Sequence, residues 1–157
     1  MKKNITLISL VFSLLVVVGC SQMLVSGQNK AKNERGIEGV WRTQVTPRNC
    51  GSGDALAPAF PGILMFDQDG TMTGTSTAAA SVYGTWTREQ GPKQYSFSTL
   101  SFKYDVGGNL TGSRNITQNV TMDESGNSFT SSGSFQDYNI AGDPTISGCS
   151  TATGTRF

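Results

Sequence analysis

From Gly39 to the end of the chain, apolar side chains alternate with Thr, Ser and Gly, and nowhere do they recur at helical spacing over three turns. A period of two with no period of 3.6 places alternate residues on opposite faces of extended strands, so the expected fold is all-β with no long helix. Candidate strands fall at 39–47, 62–68, 71–77, 81–89, 93–106, 109–122, 127–138 and 146–157. Between them Asp69-Gly70, Gly107-Gly108-Asn109 and Ser125-Gly126-Asn127 supply residues tolerant of positive φ at hairpin tips. Short connections make consecutive strands antiparallel neighbours. In the fifth strand Tyr95 and Phe97 share one parity while Leu100, Phe102 and Tyr104 share the other. A bulge near Thr99, or a sharp bend, is therefore expected, as a curved barrel wall requires.

The N-terminus is not part of this pattern. Met1-Lys2-Lys3 is basic and Ile5 to Gly19 is apolar, the layout of a secretory signal peptide. At about 15 residues the run is shorter than the ~20 of a spanning helix. Val17-Val18-Gly19-Cys20 resembles the bacterial lipobox, in which a small residue precedes a cysteine that is acylated and becomes the new N-terminus. The resemblance implies a signal peptide over 1–19, a lipid (palmitate among its chains) on Cys20 and attachment to a membrane of the bacterial cell envelope. Ser21, where some lipoprotein-sorting systems read aspartate as a retention signal, implies the outer membrane. Residues 20–36 are polar and aperiodic and read as the lipidated end and a flexible tether, leaving 37–157 as the β domain.

With Cys20 assigned to the lipid, Cys50 and Cys149 remain as a pair in an oxidising compartment, and a disulfide between them is expected, with two buried thiols as the alternative. Cys50 lies just past the first strand and Cys149 near the start of the last. Such a bridge is what an antiparallel contact between first and last strands produces, with residue 41 opposite position 158. That contact closes an eight-stranded up-and-down barrel and removes both sheet edges. An open β-sandwich is the alternative. Gly39-Val40-Trp41 on the first strand and Arg156 on the last then resemble the calycin barrels, the group of lipocalins, fatty-acid-binding proteins and avidins. There a Gly-x-Trp tryptophan plugs one end of the barrel under a basic side chain from the last strand. The resemblance implies a barrel-end plug of Trp41 and Arg156 held by a cation–π contact. Gly84-Thr85-Trp86 echoes the same tripeptide, whereas the helix that follows the lipocalin barrel, its Thr-Asp-Tyr motif and the avidin biotin-binding set have no counterpart.

Composition narrows the function. With no His, the commonest general base and transition-metal ligand is missing. Lys93 and Lys103 are the residual candidates to activate a serine, and no spacing singles out a pair, so no enzyme activity, metal or cofactor is expected. A net charge of +1 without a basic run beyond the first three residues gives no footprint for nucleic acid. Asp67-Gln68-Asp69-Gly70 resembles a fragment of a calcium loop without its terminal Glu, and reads better as a hairpin tip. The triplets starting at Asn109, Asn115 and Asn119 match glycosylation sequons but read as alternating polar positions of one strand.

In the sixth strand Leu110, Ile116, Val120 and Met122 share parity with Arg114 and Gln118. If the apolar members face inward, Arg114 faces a wet cavity, an acidic ligand or an internal carboxylate; otherwise it sits at a rim or a bulge turns it outward. Arg114, Gln118, Trp86 and Phe102 are accordingly the candidate ligand-binding residues, the aromatics doubling as core filling. The expected function is a lipid-anchored binding module for a small apolar or amphipathic molecule. The alternative is an interaction protein or hydrolase inhibitor of the kind seen among small disulfide-closed β-barrel lipoproteins, contacting a protein partner through the segment 48–61, the longest between strands.

Overall fold

The computed structural model describes residues 35–157; the expected signal segment 1–19, the acylation site Cys20 and all but the last two residues of the tether lie outside them. Eight antiparallel strands follow one another around a closed barrel: β1 Gly39–Arg48, β2 Phe60–Phe66, β3 Thr71–Ser76, β4 Ala79–Arg88, β5 Gln94–Tyr104, β6 Leu110–Met122, β7 Ser128–Tyr138 and β8 Pro144–Arg156.

Four of the connections reuse one device. Asp67-Gln68-Asp69-Gly70, Asp105-Val106-Gly107-Gly108, Asp123-Glu124-Ser125-Gly126 and Asn139-Ile140-Ala141-Gly142 each put an Asp or Asn first and a glycine at positive φ fourth, at +86°, +81°, +71° and +90°. In each, the glycine N–H donates to the carbonyl of the first residue. The fourth position needs left-handed backbone, which glycine adopts without a Cβ clash. In three of the four the first side chain accepts backbone N–H groups across the turn: Asp105 from Gly107 and Asn109, Asp123 from Asn127 and Ser128, Asn139 from Asp143.

Closure comes from β1 pairing with β8, from Trp41 opposite Arg156 to Arg48 opposite Cys149. This register is two residues away from the one inferred from a direct cysteine pairing, because Cys50 sits beyond the strand end in the following turn and reaches back to Cys149. The disulfide is formed, with Cα atoms 5.1 Å apart and a sequence separation of 99.

The end of the barrel where β1 begins is filled. Ile37, Trp41, Phe66, Met72, Tyr95, Phe97, Val120, Met122 and Phe129 form one buried cluster, and burial of these large side chains is the main stabilising contribution to the fold. Residues 35 and 36, assigned to the tether from sequence, are instead fastened to this end. The Arg35 carbonyl accepts from Lys93 Nζ (3.1 Å) and the Gly36 carbonyl from Arg156 Nη2 (2.6 Å).

No bulge forms at Thr99. The β5 ladder runs unbroken from Gln94 to Lys103, so Tyr95, Phe97, Thr99, Ser101 and Lys103 keep one parity and point inward, and Leu100, Phe102 and Tyr104 point out. The irregularities lie elsewhere, at Gly74–Ser76, Lys103–Tyr104 and Gln136–Tyr138, all toward the opposite end of the barrel.

Replacing Cys50 and Cys149 together by serine is expected to destabilise the barrel by roughly 5 kcal/mol, the chain-entropy value for a loop of this length. The check is the urea midpoint of each protein, read by circular dichroism; an unchanged midpoint would show that the disulfide adds no stability to the closed ladder.

Candidate functional site

The site is built in three tiers along the barrel axis. The lowest is the plug. Trp41 is fully buried and its indole N–H donates to the Ile37 carbonyl at 2.7 Å. Phe129 meets it edge to face at 5.0 Å and lies over Gly154, where any Cβ would sit within 2.2 Å of the phenyl ring. The Arg156 guanidinium stacks on Trp41 at 4.3 Å and donates to the carbonyls of Glu38, Gly36 and Gly126. Three carbonyls and a ring face satisfy the cation without a carboxylate. Trp86 belongs to this tier. It contacts Phe66 and Tyr95 edge to face and donates to the Asp67 carbonyl at 2.8 Å, so it is packing under the cavity and does not line it.

Above the plug the inward positions change from aromatic to polar: Thr43, Thr99, Ser101, Gln118, Ser131 and Ser150 are all buried. Gln118, Gly133 and Ser150 stand side by side on β6, β7 and β8. The Gln118 side chain crosses over the bare glycine and its Nε2 donates to Ser150 Oγ at 2.9 Å. Gly133 is obligatory here, because a Cβ would fall 1.9 Å from the Thr117 carbonyl oxygen. These residues, with Val45, Phe60, Leu64 and Val82, enclose a cavity of about 200 Å³. Gln118 Oε1 and Ser131 Oγ are buried in its wall with no hydrogen-bond partner.

The top tier carries charge. Arg114 points inward and donates through Nε and Nη2 to both oxygens of Asp137 (2.6 and 2.9 Å), its direct neighbour across β6 and β7. Lys103 Nζ reaches the same carboxylate at 2.5 Å, and the guanidinium stacks on Phe135 at 4.4 Å. Of the alternatives open for Arg114, the internal carboxylate is the one realised. Asp137 is fully buried. Burial pushes its carboxyl up, but the hydrogen bonds and charges of Arg114 and Lys103 outweigh that and hold it below the ordinary Asp value. Two cations on one carboxylate leave this cluster with one excess positive charge.

Other expectations find different places. Phe102 is 53% exposed and on the outward parity of β5, although it also borders the cavity. Asp67–Gly70 is a hairpin tip, in which Asp69 accepts from Thr71, and no group of three or more metal-ligating side chains is gathered among the described residues. Asn115, Thr117, Asn119 and Thr121 alternate on the outer face of β6. Lys93 is spent on the Arg35 carbonyl. The β1–β2 segment lies at the mouth end, pinned by Cys50 and by Arg48, which donates to Thr151 Oγ1 and the Gly53 carbonyl. It exposes Leu56, and the two mouth-end Asx turns expose Val106 and Ile140.

Asp137, Ser131 and Ser150 were not singled out from sequence. The available signal for Asp137 was parity: it lies on the inward set of β7 with Phe129 and Phe135, opposite the one strand already holding an anomalous arginine.

Because the native pKa of Asp137 lies below its unfolded value, its contribution to stability is complete above about pH 4 and is lost as pH falls through the native value. Stability measured by urea unfolding is therefore expected to drop more between pH 6 and pH 3 in the wild type than in Asp137→Asn. Arg114→Met, which leaves the buried carboxylate with Lys103 alone, is expected to cost about 3 kcal/mol at pH 7. Equal pH slopes for wild type and Asp137→Asn would show that the carboxylate is not held by the two cations.

The chain matches no known protein family, no curated protein and no solved structure.

Proposed function

We propose that this protein is a lipocalin-like binding module of the bacterial cell envelope, held on a membrane by a lipid on Cys20 and receiving a small apolar or amphipathic molecule in its barrel. The observation that carries the reading is the cavity of about 200 Å³ between a sealed end and a charged mouth, with two buried polar atoms unpaired in its wall. Cores of natural proteins leave few voids and few orphaned polar groups, because each costs stability. A barrel that needed only to be stable would fill this volume with large apolar side chains of the kind that already fill its plugged end. The plug of Trp41 under Arg156 supports the calycin comparison, and the formed disulfide agrees with export to an oxidising compartment. The Gly19-Cys20 junction and Ser21 are the support for the anchor and for the outer membrane.

A second reading, contact with a protein partner at the mouth, is favoured by the exposed aliphatic side chains Leu56, Val106 and Ile140 on three loops at that end.

The test is native mass spectrometry of the full chain released from membranes in detergent, before and after denaturation. A retained small molecule is expected, and Ala152→Phe, which puts a ring into the cavity, is expected to abolish retention. A barrel that is empty and takes up no apolar fluorophore would overturn the binding reading. A triple change of Leu56, Val106 and Ile140 to Ser that leaves ligand retention intact but abolishes capture of a partner would favour the second. In a bacterial host, Cys20→Ser is expected to eliminate labelling by palmitate and release the chain from the membrane fraction; unchanged labelling would remove the anchor.

A further inference from the structure

The polar tier makes a demand on what enters the cavity. Gln118 is 3% exposed and Ser131 6%, and both line the cavity. The Gln118 amide is held in place by its bond to Ser150 Oγ across the gap left by Gly133, so its free oxygen is a fixed feature of the wall. Ser131 lies diagonally across from it, facing Val120 one row nearer the plug, within reach of the same small group. An unpaired amide oxygen and an unpaired hydroxyl side by side in a buried wall ask for a partner that both donates and accepts.

We infer that the cavity takes a compact apolar molecule bearing a hydroxyl, inserted hydroxyl first, with that group donating to Gln118 Oε1 and accepting from Ser131 Oγ–H. This deepens the binding reading above and rests on it. A hydroxyl suits the site in either orientation of the Gln118 amide, since it donates to the oxygen or accepts from the nitrogen. A carboxylate does not suit it in either orientation: its charge would be buried in a neutral wall, and the cations that would neutralise it are a tier higher and already occupied by Asp137. Size sets a second limit. A dry cavity of ~150 Å³ admits benzene, so about 200 Å³ holds one substituted ring or a short branched alcohol and not a long acyl chain. The apolar body then meets Val45, Leu64 and Val82.

The probes are phenol and toluene, which match in shape and differ in the hydroxyl, titrated calorimetrically into the full chain. Wild type is expected to bind both. Gln118→Met, which keeps the volume and removes the amide, is expected to weaken phenol by about tenfold or more while toluene holds or improves, since only phenol loses a hydrogen-bond partner. Ser131→Ala, a change too small to threaten the fold, is expected to lower the phenol-to-toluene affinity ratio about threefold. If wild type binds phenol and toluene but both variants leave the ratio unchanged, the hydroxyl site is wrong and the binding reading stands. If neither probe binds wild type and no molecule is retained from cells, both fall together.

Discussion

The pairing of β1 with β8 is the constraint on which the other features depend. Left open, an eight-stranded meander presents two unpaired edges and an inner face that must be covered by something else. Joined from Trp41 opposite Arg156 to Arg48 opposite Cys149, the sheet covers its own inner face. The two fastenings sit at opposite ends of that seam. At one end Arg156 stacks on Trp41 and ties β8 to the carbonyls of residues 36 and 38 before β1 begins. At the other the disulfide joins Cys149 to the turn after β1. A seam held at both ends keeps the cavity walls apart without packing the middle, which is why the middle tier can be built from Thr, Ser and Gln.

That polar middle also explains where sequence reading succeeded and where it failed. The eight strands are found within two residues of their expected bounds, because Asx-x-x-Gly tips and changes of composition mark the ends whatever lies between. In β6 the inward set is legible because Val120 and Met122 anchor it near the plug, and Arg114 and Gln118 follow by parity. In β5 the same reasoning misleads. Its inward residues pass from Tyr95 and Phe97 to Thr99, Ser101 and Lys103, while large side chains appear on the outside at Leu100, Phe102 and Tyr104. Counting apolar residues then invents a phase change at Thr99. The apparent break in β5 marks the height at which the barrel interior stops being an oily core.

The serines of the cavity wall were invisible for a related reason. Ser and Thr occupy both faces of β7 and β8, so Ser131 and Ser150 carry no alternation signal of their own, and only the register places them beside Gln118. The row Gln118–Gly133–Ser150 is a three-strand object. Its central member is a glycine whose sequence context resembles that of any flexible or curved position, yet its function is steric: it lets the backbone of β6 at Thr117 and Gln118 come closer than a Cβ would allow. Gly154 under Phe129 and Gly148 under Phe135 make room for rings instead. Glycines along this wall let neighbours lie down against the sheet, and they fill the wall without filling the lumen.

The two ends of the barrel use one turn to different effect. Asx-x-x-Gly tips at 67–70 and 123–126 flank the plug, and those at 105–108 and 139–142 flank the mouth, with the same glycine conformation and the same closing hydrogen bond. The second position differs: Gln68 and Glu124 at the plug end, Val106 and Ile140 at the mouth. All four side chains point to solvent, so the turn itself does not ask for an aliphatic residue there. An exposed Val or Ile gains nothing from burial in the folded chain. Folding therefore accounts for the first and fourth residues of these turns and not for the second, and it is at the mouth, above the Arg114–Asp137–Lys103 cluster, that the unaccounted residues are apolar.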